Sequence, residues 1–99
     1  MRFIWDENKN RTNRAKHGIS FETALQAFAD PFALAIPDRI LEGEERWHTI
    51  GMIAGQMVVL IVHTDSERES EEIIRIISAR KATHRERKAY EENYEENAE

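Results

Sequence analysis

The chain has 99 residues, of which 40% are hydrophobic and 33% are charged, and its formal net charge at pH 7 is −5. This length corresponds to about one domain, and the composition is too apolar for a fully disordered chain. There is no cysteine, which excludes disulfides, thiolate metal sites and cysteine nucleophiles. The longest apolar run, 57–62, is far shorter than the ~20 residues of a membrane span. We therefore expect a soluble cytoplasmic protein.

Cations are concentrated in two blocks that the net charge hides. Residues 2–17 carry five cations against two acids, and residues 73–88 carry six cations against one acid. Acidic runs at 65–72 and 89–99 offset them. A basic block can bind phosphate even on an acidic protein, although charge runs are more often only a solvated surface.

The first residues predict a short strand followed by a polar helix. Residues 2–6 alternate between apolar and polar, as in a strand. Asp6 is suited to cap a helix over 7–17, and Gly18 is suited to end it. Because this helix has one aliphatic residue, we expect it to depend on contacts with the rest of the fold.

A second helix and a strand come next. Ser20 is suited to cap an amphipathic helix over 21–28, whose apolar residues recur at helical spacing. The Asp-Pro pair at 30–31 should end it. An apolar strand is predicted over 32–36, closed by a proline, and a solvated loop is predicted over 38–45.

The middle of the chain predicts three strands. They are expected over 46–52, 57–64 and 73–78, with a hairpin turn at 54–56. The strand over 57–64 is almost wholly apolar, which is typical of a central position in a sheet. The acidic run 65–72 is predicted to be a loop.

The last element is predicted to be a helix that begins with a capping box. Thr83 and Glu86 have the spacing of that motif. The helix should fray into the acidic end of the chain. We therefore expect one domain over 1–92 and an acidic tail over 93–99.

Two polar residues lie on otherwise apolar strand faces. Arg75 shares its face with isoleucines on both sides, and His63 continues an apolar row. A buried charge needs a partner or a ligand, but an arginine can also extend its head to solvent over apolar neighbours. For His63, a buried histidine bonded to a backbone carbonyl is the alternative to a functional group.

Further cations surround the start of the last helix. Arg80 and Lys81 precede its cap, and Arg85, Arg87 and Lys88 lie in its first turns. Cations there oppose the helix dipole, whereas together with the free N–H groups they would suit a phosphate. Tyr90 lies on the same side of the helix as Arg87. It could stack on a base or transfer a proton, and core packing is the alternative.

Familiar catalytic motifs are missing. The sequence has no glycine-rich phosphate loop, no nucleophile elbow and no histidine pair at metal spacing, so we expect no metal and no other cofactor. RNA can be cleaved without a metal because its own 2′-hydroxyl attacks the adjacent phosphate, with proton transfer and cations supplied by the protein. The residue types in 75–90 fit that chemistry. A non-catalytic nucleic-acid or protein-binding module that uses the basic patch 75–88 is the alternative.

Four segments resemble the BrnT family of bacterial toxins. They are FIWDENKNRTNRAKHGISFETA at 3–24, GEERWHTIG at 43–51, VHT at 62–64 and RIISARKATHRERKAYEE at 75–92. BrnT-like proteins are toxins of type II toxin–antitoxin pairs that block translation by cutting RNA. The resemblance implies an α+β, RelE-like fold: a small, mostly antiparallel sheet packed by two N-terminal helices and one C-terminal helix.

The resemblance also implies the partners. The family's antitoxin, BrnA, binds DNA and neutralises the toxin by forming a complex that represses its own operon. We therefore expect an RNA substrate, a BrnA-like antitoxin, contact with operator DNA only through that antitoxin, and no membrane partner.

The candidate site residues come from the chemistry of the individual residues and from the resemblance to the BrnT family. The catalytic candidates are Arg80, Lys81, Tyr90, His63 and Arg75. The candidates for nucleic-acid binding are Lys16, His17, Arg46, Arg85, Arg87 and Lys88. Among the cations, we expect Arg80 and Lys81 to matter more than Arg11 and Arg14, because a strand and a capped helix anchor both ends of their segment.

Overall fold

A computed structural model of the chain describes residues 1–98 and places helices on both sides of a five-stranded sheet. The strands are β1 (Arg2–Ile4), β2 (Leu34–Leu41), β3 (Glu44–Ile53), β4 (Met57–Arg68) and β5 (Glu71–Lys81). The helices are α1 (Glu7–His17), α2 (Phe21–Ala24), which continues into a 3-10 helix (Leu25–Ala29), and α3 (His84–Asn97). The α+β class is therefore confirmed.

The sheet is mixed, which corrects the expectation of a mostly antiparallel sheet. Its strand order is β1-β5-β4-β3-β2. β1 pairs with β5 in parallel, while the other three pairs are antiparallel. Three-residue β1 carries no local signal for its partner, and the pairing joins residues about seventy positions apart, such as Phe3 and Ile74.

Asparagine side chains hold the polar helix α1 against the rest of the fold, as expected for a helix that has only one aliphatic residue. Asp6 caps it by accepting from the N–H of Asn8 at 2.8 Å, and Gly18 ends it with a left-handed φ of 74°. The buried Asn13 bonds both backbone groups of Ala79, accepting its N–H at 3.0 Å and donating to its carbonyl at 2.7 Å. Asn13 thus satisfies the edge of β5 beyond the end of β1.

The second helix is shorter than predicted. Ser20 caps it as expected, but α-helical geometry ends at Ala24 and 3-10 geometry follows. The 3-10 helix lies directly on β3: a Cβ added to Gly51 would be 2.7 Å from the carbonyl oxygen of Ala27. Only glycine permits this approach, which sets the height of the helix above the sheet.

Two predicted loops are wrong. The segment 38–45 belongs to a hairpin, since β2 runs through Pro37 to Leu41 and β3 begins at Glu44. β2 is the last strand in the sheet order, where a proline is tolerated, and the register shifts just after Pro37. The acidic segment 65–72 likewise forms the ends of β4 and β5 around a turn at 69–70. Cross-strand pairing outweighs the low strand propensity of these acidic residues.

The last helix begins where predicted and ends later than predicted. Thr83 accepts from the N–H of Glu86 at 3.2 Å, and the Glu86 carboxylate accepts from the N–H of Thr83 at 2.8 Å, so the capping box is confirmed. The helix continues to Asn97, whereas the sequence predicted fraying from Tyr94 onward and a domain that ends at Glu92. A domain boundary at that point stays a prediction, and Glu99 lies outside the described residues. No described helix is long and apolar enough to cross a membrane.

Strand alternation gives the sheet two faces of different character. The closed face, which includes Thr49, Ile61, His63 and Ile76, packs under α2 and the 3-10 helix. The open face carries side chains that lie between α1 and α3: Arg46, His48, Val62, Thr64 and Arg75. α3 covers only one end of it, where Tyr90 packs near Ile50 and Leu60.

Candidate nucleic-acid interface

The open face brings together cations from three elements. Lys9 of α1, Arg46 of β3 and Arg75 of β5 line one cavity of about 280 Å³, which is also lined by Glu42, Glu44, Thr64 and Ile77. A second cavity of about 310 Å³ shares Lys9 and Ile77 with the first and extends along α1. Its further basic residues are Lys16 and His17. One continuous cationic surface therefore runs from β3 to the end of α1.

Both arginines of this surface are paired with carboxylates. Arg75 donates from Nη2 to Oε1 of Glu44 at 2.7 Å. The Nε of Arg46 lies 3.3 Å from Oδ2 of Asp38, in an ion pair without hydrogen-bond geometry. These side chains are roughly one quarter to two fifths exposed. Ion pairs that contact solvent contribute only about 0–1 kcal/mol, so a phosphate can take the place of either carboxylate.

Asp38 lies where the register of β2 shifts, and it faces more than one basic group. Its Oδ2 is 3.6 Å from Nε2 of His48 and 3.9 Å from Nε of Arg39, in addition to its contact with Arg46. His48 and Arg46 are two residues apart on β3 and therefore lie on the same face. The bulge in β2 thus places a carboxylate beside an imidazole at the cationic surface.

Arg80 also lies on the open face, opposite Leu60, but its guanidinium is occupied. It donates to both carboxylate oxygens of Glu86, at 2.8 and 3.0 Å. This pair, assisted by the N–H of Thr83, lowers the pKa of Glu86 to about 2 and raises the pKa of Arg80. The position of Arg80 is therefore that of an anchor for α3.

Lys81 is separated from Arg80 by strand alternation. It pairs with Val59, on the side of the closed face, and its side chain is exposed. The two neighbours that were predicted to act together therefore point to opposite faces of the sheet.

Tyr90 is a core residue with a bound hydroxyl. It is 3% exposed, and its hydroxyl donates to Oδ2 of Asp30 at 2.6 Å. Burial and this bond raise the pKa of Tyr90, so the phenol stays protonated. Burial raises the pKa of Asp30, but hydrogen bonds from Tyr90 and from the backbone of Met52 and Phe32 outweigh it and keep that pKa low. Tyr90 lies beside Met52, toward the opposite end of β3 from Arg46.

His63 is buried on the closed face. Its Nε2 is 2.7 Å from Oγ1 of Thr49, and its ring packs edge-on against Phe28 at 5.1 Å. Its Nδ1 has no hydrogen-bond partner among the described residues. Burial lowers the pKa of His63 and favours the neutral ring. The partner is a hydroxyl rather than the backbone carbonyl that the sequence suggested.

Comparison with known proteins assigns the chain to a family. The family model for the ribonuclease toxin BrnT of type II toxin–antitoxin systems matches residues 5–86. The chain belongs to the BrnT family. The crystal structure of the Brucella abortus ribonuclease toxin BrnT, at 1.1 Å resolution, is similar with a TM-score of 0.66 and 30% identity. The match covers 85% of this chain and 99% of that chain. No curated protein matches the sequence.

The BrnT assignment confirms the resemblance drawn from the motifs. The chain is a ribonuclease toxin, its substrate is RNA and its partner is an antitoxin. This favours an enzyme over a non-catalytic binding module at 75–88. Within residues 1–98, no three His, Asp or Glu side chains form a group that could hold a metal ion.

For a BrnT ribonuclease, the structure divides the predicted site residues into groups. Four lie on one surface: Lys16, His17, Arg46 and Arg75. Four lie apart from its cavities or are engaged elsewhere: Arg80, Lys81, Tyr90 and His63. Three project from α3 and line neither cavity: Arg85, Arg87 and Lys88. The sequence analysis missed Lys9, which lines both cavities, and it missed Asp38 and His48, which line neither cavity but lie beside Arg46. Lys9 was within the first basic block, but nothing local indicated that β5 would lie beside it.

Proposed function

We propose that this BrnT-family ribonuclease binds RNA on the open face and cleaves it without a metal ion, by attack of the 2′-hydroxyl on the adjacent phosphate. The observation that supports this is the convergence of Lys9, Arg46 and Arg75 in one cavity. Cations close to a phosphate stabilise the charge that develops as the fifth phosphorus–oxygen bond forms. They supply the positive charge that a metal ion supplies in other nucleases.

The carboxylates on this face keep the arginines ordered until RNA binds. Glu44 holds Arg75, and Asp38 holds Arg46, in positions that already face the cavity. A phosphate that enters exchanges with these carboxylates, and a doubly charged transition state competes better for the guanidinium groups than the ground state does. We therefore assign Arg75 and Arg46 to transition-state stabilisation, and Lys9, Lys16 and His17 to binding of the neighbouring RNA backbone.

The remaining candidates receive different roles in this proposal. Arg80 positions α3 through Glu86, and it contacts RNA only when that pair opens. The exposed cations of α3, together with Lys81, contribute long-range attraction to RNA. Tyr90 and His63 take no part in proton transfer, because both are buried and bonded away from the cavity.

The cellular role follows from the family. We propose that cleavage of RNA in the cytoplasm blocks translation, that the fold is a variant of the RelE-like ribonuclease fold, and that the partner is a BrnA-like antitoxin that alone contacts operator DNA. An acidic segment of that antitoxin would cover the cationic surface, because opposite charge speeds encounter. The affinity of the complex should therefore fall as salt rises.

The test is cleavage of RNA by the purified toxin in EDTA, with analysis of the product ends. We expect undiminished cleavage and products that carry a 2′,3′-cyclic phosphate or 3′-phosphate together with a 5′-hydroxyl. Cleavage that stops on chelation and returns with magnesium or zinc would contradict metal independence, and a 5′-phosphate product would contradict attack by the 2′-hydroxyl.

A further inference from the structure

We propose that His48 is the proton acceptor for the RNA 2′-hydroxyl and that Asp38 is its positioning residue. The inference rests on the proposed function, because it requires RNA on the open face. It is carried by the contact between Nε2 of His48 and Oδ2 of Asp38, at 3.6 Å, on the same face as Arg46.

The surroundings of His48 suit a group that exchanges protons with a ligand. Its side chain is 34% exposed, so a substrate can reach it. Asp38 of β2 contacts it, Arg39 of β2 and Arg46 of β3 contact the same carboxylate, and Val62 faces it from β4. His63 lies on the opposite face of the sheet. Asp38 is therefore the acid beside the ring, and Arg46 is the cation beside it.

The other histidines lack this combination. His63 is buried under Phe28 on the closed face. His17 lies at the last residue of α1 and His84 at the first residue of α3, where its Nδ1 is 3.4 Å from Nη2 of Arg87. Among the described residues, only His48 combines an adjacent carboxylate with a place beside an arginine of the cavity.

The proposed step balances without any co-reactant except water. With Nε2 directed at Asp38, Nδ1 of the neutral ring takes the proton of the 2′-hydroxyl. The 2′-oxygen uses the released electron pair to bond to phosphorus, and the bond from phosphorus to the 5′-oxygen breaks. The leaving 5′-oxygen takes a proton from water, and the imidazolium then gives its proton to the hydroxide that remains. The products are a 2′,3′-cyclic phosphate and a 5′-hydroxyl.

Asp38 acts in this step through His48. A carboxylate that faces one ring nitrogen selects the tautomer whose other nitrogen is free to accept a proton, and it stabilises the imidazolium after the transfer. Its distance of 3.6 Å is longer than a hydrogen bond, and such contacts commonly tighten when a substrate binds. Exchange of Arg46 from Asp38 to the substrate phosphate would leave this carboxylate to His48 and the more distant Arg39.

The experiment compares His48→Gln with the wild type, using a mixed-sequence RNA that carries a fluorophore and a quencher. We expect the single-turnover rate to fall by ~10²–10⁴-fold, the range that general acid–base catalysis supplies. Affinity for the same RNA with 2′-O-methyl groups, which cannot be cleaved, should change less than about threefold. The matched control is His84→Gln, which removes an exposed histidine of α3 that has no carboxylate contact within residues 1–98 and should retain the wild-type rate.

The pH dependence gives a readout that a structural role would not move. Wild-type cleavage should decline on acidification, because only a neutral imidazole can accept the proton of the 2′-hydroxyl, and the residual activity of His48→Gln should lose this decline. Asp38→Asn should lower the rate by a smaller factor with RNA affinity retained, and it serves as the second variant if His48→Gln melts below the assay temperature.

The outcomes separate a failure of the role of His48 from a failure of the RNA site on the open face. A His48→Gln rate within about threefold of wild type, or an unchanged decline on acidification, overturns the role of His48. A loss of affinity as large as the loss of rate assigns His48 to binding and also overturns it. The open face stands in these cases if Arg75→Ala still loses cleavage, whereas normal cleavage by both variants overturns the RNA site itself.

Discussion

Similar polar residues lie in opposite environments on the two faces of the sheet. β3 and β4 contribute Thr49 and His63 to the closed face, where helices exclude water and the two side chains bond to each other at 2.7 Å. On the open face the neighbouring His48 meets Asp38 at 3.6 Å and stays accessible. Whether a polar side chain is structural or available to a ligand therefore depends on whether helices cover its face of the sheet.

The arginines of the open face show a further difference between exchangeable and fixed pairs. The carboxylate partners of Arg46 and Arg75 belong to strands, and the partner of Arg75, Glu44, also lines the cavity. The partner of Arg80 also completes a helix cap, so that one carboxylate serves two functions. We expect exchange of the first two pairs for phosphate to leave the fold intact, and opening of the third to loosen α3.

The largest effect is expected for the arginines of the cavity. Arg75→Ala or Arg46→Ala should lower the rate of RNA cleavage by ~10²–10³-fold, as loss of one group that stabilises a developing anion does. Arg11→Ala and Arg14→Ala, on the exposed part of α1, should change it by only a small factor. Single-turnover cleavage measures the effect, and a thermal melt confirms that each variant is folded. Equal losses at all four positions would remove the distinction between the open face and the general surface.

A matched pair of threonines tests the two faces by stability. Thr49 and Thr64 are both 5% exposed, but only Thr49 has a hydrogen-bond partner among the described side chains. Thr49→Val leaves His63 unpartnered, so the free energy of unfolding should fall by about 1–3 kcal/mol. Thr64→Val removes an unpartnered hydroxyl and should change it by less than about 0.5 kcal/mol. Urea unfolding decides, and equal losses would contradict the contrast.

Loss of the Arg80–Glu86 pair that anchors α3 is expected to lower the free energy of unfolding by less than the largest loss expected for the Thr49–His63 bond. Glu86→Gln keeps a capping side chain but loses the charge that binds Arg80, so unfolding should become easier by about 1–2 kcal/mol. The pKa of Glu86 is lowered to about 2, so its contribution is present above the ordinary glutamate value of ~4.3 and is lost as pH falls toward 2. Urea unfolding between pH 5 and pH 2.5 should show a weaker pH dependence in Glu86→Gln than in wild type. Glu91→Gln, at a 4.0 Å exposed pair with Arg87, is the control and should be near neutral.

The smallest effect is expected from His63. Its pKa is lowered in the folded protein because burial disfavours the charged ring. The unfolded chain therefore binds more protons, and stability is present above the unfolded value of ~6.5 and is lost as pH falls below it. Between pH 7.5 and 5.5 the wild type should lose up to about 1 kcal/mol more than His63→Gln in urea unfolding. His84→Gln is the control and should behave like the wild type. If His63→Gln loses as much stability over this pH range as these two proteins, His63 is not the buried titrating group.

Local features of the fold could be predicted because their interactions span a few residues. The cap at Asp6, the left-handed Gly18, the turn at 54–56 and the capping box at 83–86 lie where the sequence placed them. The long strands could not be bounded in this way, since acidic residues and a proline near their ends are tolerated only because a neighbouring strand pairs with them. The BrnT motifs predicted the family, but a sequence motif does not indicate which of its residues contact one another in the fold.

The sequence alone determined where the three helices begin, where α1 ends, the alternation of each strand and the family, because these depend on neighbouring residues or on an ordered set of motifs. Only the tertiary structure decided that β1 lies parallel to β5, that Lys9 joins Arg46 and Arg75, and that His63 is covered while His48 is not. The register between β3 and β4 places His48 and His63 on opposite faces, and which face is covered depends on where α2 and α3 dock. That choice is made by apolar contacts between residues distant in the chain, and such contacts leave no local pattern.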